Sequence, residues 1–157
     1  MRLFTGHMPE GQLLTAKVDG LFESAHDLFY PLNPVINVRW GEAFQTGKAE
    51  LEKILPTKLA RFAKQYDRYE GPFFFGDSQY YCDFAAFHHF DMAELLMPDI
   101  LSAFQGLQRF MEAMRSVPKI QQYLDTRPEL LNVGIDPRMR TAQGEVSTGP
   151  FPALRSF

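Results

Sequence analysis

The sequence predicts an all-α fold, a bundle of about five helices. Three observations carry that reading. Apolar residues recur at steps of three and four through several long segments, glycine and proline fall between those segments, and no run reads as a strand or as an internal repeat. The length of 157 residues suits one domain with one core, and the hydrophobic share of 45% against 22% charged is that of a globular chain. Fifteen phenylalanines point to a core of interlocking rings.

From Glu10 to about Val38 the apolar residues Leu14, Val18, Leu21, Phe22, Ala25, Leu28, Phe29 and Leu32 fall at steps of three and four, the period of a helix burying one face. Pro31 and Pro34 each remove a backbone donor, so the helix is expected to bend or to end its first part near Tyr30, with a second segment running through Val35 and Val38. Trp40-Gly41 and Gly47 then mark a connection to a second long helix, Lys48 to Tyr69, built on Leu51, Ile54, Leu55, Leu59, Phe62 and Tyr66, with a kink expected at Pro56. Gly71 to Gln79 is too short and too interrupted for a helix and reads as a loop with buried phenylalanines. Tyr80 to Leu96 is apolar on nearly every side, which places it at the centre of the bundle. Phe104 to Met114 is amphipathic, and Ser116 before Pro118 reads as the cap and first turn of a last helix ending near Arg127-Pro128. Beyond it no period survives, and the tail is expected to be extended or mobile.

Charge and composition exclude several functions. A net charge of −3, a pI near 5.8 and scattered basic residues leave no footprint for phosphate backbones, so no nucleic-acid partner is expected. No run approaches the ~20 apolar residues of a membrane helix, and no membrane association is expected. One cysteine excludes an internal disulfide and suits a reducing compartment, so the expected location is cytoplasmic.

The candidate sites each have a plain reading beside the functional one. Asp19, Glu23 and Asp27 stand four apart and form an acidic row, which for Asp19 and Glu23 reads as the solvated edge of a helix and for Asp27 equally as a ligand contact. Of His88, His89 and Asp91 only His88 and Asp91 share a helical face, too few ligands for a metal, and His88 is expected to be a hydrogen-bonded core residue. Cys82 near a helix start reads as packing and not as a reactive thiol.

Three stretches together resemble the C-terminal, all-helical half of a cytosolic glutathione S-transferase. Gly71-Pro72-Phe73-Phe74-Phe75-Gly76-Asp77 runs into Cys82-Asp83-Phe84-Ala85, and Val117-Pro118-Lys119-Ile120-Gln121-Gln122-Tyr123-Leu124 follows. The opening, Gly6-His7-Met8-Pro9-Glu10 leading to Ala16-Lys17-Val18-Asp19, is most similar to the sigma class and its mu, pi and alpha relatives. The resemblance implies that 1–9 are a remnant of a preceding domain's last helix and linker, that 10–130 are the helical domain, and that 131–157 are an extended tail. Leu3 and Phe4 would then lose their burial, and Met139, Phe151, Leu154 and Phe157 of the tail would be free to cover an exposed patch.

The resemblance also carries site expectations. Asp27 corresponds to the acid that reaches across the dimer axis to the amino group of the neighbouring subunit's glutathione, and Ile36 and Asn37 correspond to positions lining the electrophile pocket. Asp83 corresponds to the first-turn acid of the central helix, a folding residue whose cap partner here is Tyr80, which leaves Ser78 or Asp77 as alternative caps. No catalytic residue and no metal ligand is expected in this chain. Glutathione is the implied co-substrate of the complete enzyme, activated by a thioredoxin-like half outside this sequence, and small hydrophobic electrophiles are the other substrates. Alone the chain is expected to be inactive, and to form a homodimer or to meet a partner on the face that half would cover. The alternatives are a non-catalytic protein interaction module and a binder of hydrophobic ligands.

Overall fold

The structure, a computed structural model, describes residues 6–148. Six helical segments come first: α1 Gln12–His26, α2 Phe29–Asn37, α3 Gly41–Tyr66, α4 Tyr81–Leu96, α5 Gln105–Ser116 and α6 Pro118–Thr126. Three short strands follow, β1 Glu129–Leu131, β2 Arg138–Thr141 and β3 Gly144–Ser147. The bundle is the all-α fold expected, with α1 and α2 the two parts of the first long helix.

That helix breaks earlier than its prolines suggest. The turn falls at Asp27 and Leu28, where the Leu28 amide bonds the Ala25 carbonyl at 3.0 Å, a tightened step of the i to i−3 kind. Pro31 then lies in the first turn of α2, where its missing donor has no helical partner to lose, and Pro34 is carried within that helix. The next helix starts at Gly41 and not at Lys48, so Gly47 is helical. A methyl group at Gly47 would run into the side chains of Arg39 and Val35. Pro56 sits inside α3 without ending it.

α4 is the central element and packs against α1, α2 and α5, as its all-round apolar sequence requires. The core is aromatic at its heart. Phe74 and Phe110 lie 4.8 Å apart, Phe62 and Phe90 5.2 Å, and Tyr66 and Phe74 5.6 Å, each edge to face. That arrangement sets the electropositive rim of one ring on the electronegative face of the next. Phe74 is wholly buried, whereas Phe73 and Phe75 are half-buried, so one ring of the three drives the loop into the core. The loop closes through Phe73 and Gly76, each amide bonding the other's carbonyl at 3.1 and 3.2 Å. Gly71 takes φ +123°, a region closed to other residues, and a Cβ there would strike the Gly76 backbone.

The tail corrects the sequence reading, which has no strand. β1, β2 and β3 form an antiparallel sheet in that order, with Leu130 opposite Met139 and Arg140 opposite Glu145. Arg140 bonds Glu129 at 2.7 Å and Glu145 at 2.9 Å, a cross-strand charge ladder. The sheet is tied to the bundle at Gly134, whose carbonyl takes the Gly41 amide at 2.8 Å and so caps one of the free donors at the start of α3. Met139 is half-buried within β2. Leu3, Phe4, Phe151, Leu154 and Phe157 lie outside the described residues.

Ser116 also differs from expectation. Its hydroxyl donates to the Ala113 carbonyl at 2.7 Å and closes α5, while Val117 precedes Pro118 at the start of α6.

Candidate functional site

Between α1 and α3 runs an open groove of about 430 Å³. Leu21 of α1, Leu28 of the turn that follows it and Phe62 of α3 form its buried apolar floor. Its walls are polar, and half of their polar residues are basic. Lys58, Arg61 and Arg68 come from α3 and the turn after it, and Lys17 faces them from α1. Lys17 donates to the Tyr69 hydroxyl at 3.1 Å, and Arg68 donates to Gln65 at 3.0 Å. Among the described residues, none of the four cations stands in an ion pair.

Asp27 is the carboxylate of this groove. It is the residue that ends α1, its amide bonded to the Glu23 carbonyl at 2.9 Å and its side chain exposed. Ile36 and Asn37 do not share the groove. Ile36 is half-buried against the core, and Asn37 is exposed, donating to Asn33 at 2.8 Å. The structure therefore brings Asp27 together with cations that the sequence reading did not single out. The signal for them is the spacing of Lys58, Arg61, Gln65 and Arg68, steps of three and four that put all four on one face.

A stack of rings stands on the surface of α1 and α2. His26 lies parallel to Phe22 at 6.4 Å and to Phe29 at 5.8 Å, and Phe29 and Tyr30 are both exposed. Asp19 is bonded by the Tyr81 hydroxyl, which joins α1 to α4. Burial first, and then that carboxylate, push the Tyr81 phenol up to about 12. Asp19 thus anchors one helix to another, and the acidic row is split between a structural member and a groove member.

Asp83 is wholly buried. Its carboxylate accepts the Phe74 amide at 3.0 Å and the Tyr80 amide at 2.7 Å. The Asp83 amide donates to the Tyr80 main-chain carbonyl at 3.0 Å, so the start of α4 is capped by the Asp83 carboxylate and by the Tyr80 backbone. Burial pushes its carboxyl up to about 6, against the pull of the two amides. Next to it, burial and then the Asp83 charge drive the Cys82 thiol well above its usual range, which keeps it protonated and unreactive.

The buried histidine is His89, a correction to the reading that favours His88. His88 is exposed, while His89 packs between α1 and α4 with its ring 6.2 Å from His26. Burial first, then the neighbouring His88 and His26, push His89 down to about 4. Among the described residues no group of three or more His, Cys, Asp or Glu is placed to hold a metal ion. Asp91 is held by Arg127 at 2.6 Å, beside a smaller cavity of about 230 Å³ bordered by Phe84, Phe87 and Tyr123. No helix among the described residues is long and apolar enough to cross a membrane.

Residues 26–127, more than half of the chain, match the family of the glutathione S-transferase C-terminal domain. A relative named glutathione S-transferase 2, from Onchocerca volvulus, is 31% identical over 121 residues, covering 75% of this chain and 56% of that protein. Glutathione S-transferase P of Caenorhabditis elegans is 28% identical over 116 residues, covering 72% of this chain and 54% of its own length. The solved pi-class glutathione S-transferase of Onchocerca volvulus superposes with a TM-score of 0.69 at 28% identity, over 76% of this chain and 57% of that one. The chain spans about half the length of the curated relatives it matches. The aromatic loop, the buried first-turn acid and the central apolar helix lie within the matched region, and the chain belongs to the glutathione S-transferase C-terminal domain family.

Proposed function

We propose that this domain supplies the electrophile-binding wall of a glutathione-conjugating enzyme and that it works with a thioredoxin-like half that activates the thiol. The observation that carries the reading is the family match across residues 26–127. It is supported by the exposed rings of Phe29 and Tyr30 on α2, an apolar surface suited to a small hydrophobic electrophile, with Ile36 and Asn37 further along the same helix. In the reaction the glutathione thiolate attacks an electrophilic carbon, a C–S bond forms, and the leaving group departs with its electron pair. Binding and orientation are this chain's part. The chemistry of the thiolate belongs to the other half.

Asp27 fits the role of a glutathione contact across a homodimer because it is exposed at the end of a helix and carries a charge opposite to an amino group. The test joins this chain to the thioredoxin-like half of a pi-class relative and follows conjugation of a chlorinated aromatic. Asp27→Asn should raise KM for glutathione about ten-fold with kcat little changed, the loss of one charge-assisted contact. Substitution of Phe29 by Ala should raise KM for the electrophile and leave that for glutathione alone. Equal kinetics in all three proteins would refute the assignment.

A further inference from the structure

We propose that His26 is a positioning residue for the electrophile wall: its ring sets the rings of Phe29 and Tyr30 in the orientation in which they meet a substrate. The inference deepens the conjugation reading and rests on it, because that reading is what gives Phe29 and Tyr30 a ligand.

Phe22, His26 and Phe29 follow one another at steps of four and three, the spacing of neighbours on one unbroken helix, yet the helix breaks between the second and the third, at Asp27 and Leu28. The rings stay in register across that break. His26 is parallel to Phe22 within 9° at 6.4 Å and to Phe29 within 4° at 5.8 Å, so its ring is the plate between α1 and α2. Tyr30 and His89 stand at steep angles to it, 79° and 67°, with ring centres 6.4 and 6.2 Å away. His89 is buried on α4, which ties the exposed stack inward to the central helix. Stacked and edge-to-face pairs favour particular ring angles as well as distances, so a ring held on several sides is a ring held in orientation.

Little else fixes the two outer rings. Phe29 and Tyr30 are 41% and 68% exposed, and no side chain caps the start of α2. Ala25, Leu28 and Leu32 are buried beneath the break, which fixes its backbone and leaves the outer rings to one another. Phe29 and Tyr30 meet at 6.0 Å, and His26 touches both, so the three rings close one corner. Without the His26 plate each outer ring regains rotamers, and a substrate that binds must order them again. Asp27 stands outside this dependence. Its place is set by its amide on the Glu23 carbonyl at 2.9 Å, so the glutathione contact proposed for it does not run through the His26 ring.

The test uses the chain joined to the thioredoxin-like half of a pi-class relative, with a chlorinated aromatic as electrophile and Phe29→Ala as the control for the wall. His26→Ala and His26→Gln, at an exposed position and without a ring, should each raise KM for the electrophile about ten-fold, while kcat and KM for glutathione stay within about two-fold. His26→Phe restores a flat ring without the imidazole nitrogens and should bring that KM back to within about two-fold of the parent. In the chain of 157 residues itself, side-chain NMR relaxation should show the rings of Phe29 and Tyr30 more mobile in His26→Ala than in the parent. A stack that only stiffens the helix break would shift Asp27 as well, and both KM values would rise together, which overturns the inference. It is also overturned, by itself, if Phe29→Ala raises KM for the electrophile and His26→Ala does not, if His26→Phe is as impaired as His26→Ala, or if the two rings are no more mobile without His26. If Phe29→Ala leaves that KM unchanged, the wall is refuted and the inference falls with it.

Discussion

The carboxylate of Asp83 receives the main-chain amide of Phe74 at 3.0 Å, which fastens the aromatic loop to the first turn of the central helix. The second oxygen takes the Tyr80 amide at 2.7 Å, so one side chain satisfies two backbone donors that have no other partner in the fold's interior. Asp83→Ala leaves both unbonded and should cost about 3 kcal/mol or more. Asp83→Asn keeps one acceptor and turns an amide group toward the other donor, so it should cost less than Ala does. Urea unfolding of the three proteins gives the order, and equal midpoints would remove the lock from the account.

Two buried groups should titrate with opposite effects on stability. His89 has its folded value near 4, below the usual 6.5, so its contribution is present above pH 6.5 and is lost as pH falls toward 4. Asp83 has its folded value near 6, above the usual 3.8, so its contribution is present below pH 3.8 and is lost as pH rises through 6. Each shift is worth up to about 3 kcal/mol, and between pH 6 and 4 the two offset one another. Replacing His89 with Phe should leave a protein that gains stability relative to the parent as pH falls from 6.5 to 4. Asp83→Asn should lose stability relative to the parent over the same range. Unfolding midpoints at pH 7, 5.5 and 4 test both signs.

Gly134 holds the tail sheet at φ +76° with its carbonyl on the Gly41 amide, and a methyl group there would run into the ring of Phe44. Gly134→Ala combines that collision with about 1 kcal/mol or more of left-handed backbone strain. Amide exchange should quicken through residues 129–147 and stay unchanged in α4 and α5. Loss of protection throughout the bundle would show instead that the sheet is integral to the core.

Gly20 lies inside α1 with open space where a Cβ would point. Gly20→Ala should therefore stabilise the protein by roughly 0.5–1 kcal/mol, through helix propensity and a less flexible unfolded chain. A lower melting temperature than the parent would indicate a packing role for that glycine.

The helices were legible because burial imposes a period on them, and α4 was legible as the centre because Phe84, Phe87 and Phe90 leave it few wet faces. That same all-round apolarity hid which histidine is inside, since a helix without a polar stripe does not tell His88 from His89. The break after Asp27 carries no proline or glycine of its own, while Pro31 and Pro34, which look like breakers, sit where a helix tolerates them. The strands were invisible for another reason. They are three or four residues long, and Arg138, Arg140 and Glu145 are held by charge across the strands and not by an apolar face. Of the candidate site, Asp27 was legible from the resemblance. The groove around it was not, because Lys17 and Arg61 become neighbours of one cavity only when α1 and α3 fold against the same core.

The most direct test is the rate at which the purified chain of 157 residues conjugates glutathione to a chlorinated aromatic electrophile, compared with the uncatalysed rate and with the same chain joined to a thioredoxin-like half. With a native helical spectrum, the chain alone should match the uncatalysed rate, and the joined protein should exceed it by orders of magnitude. Catalysis by the chain alone, at a rate that depends on residues of this helical domain, would contradict the claim that the domain binds and orients while another activates the thiol.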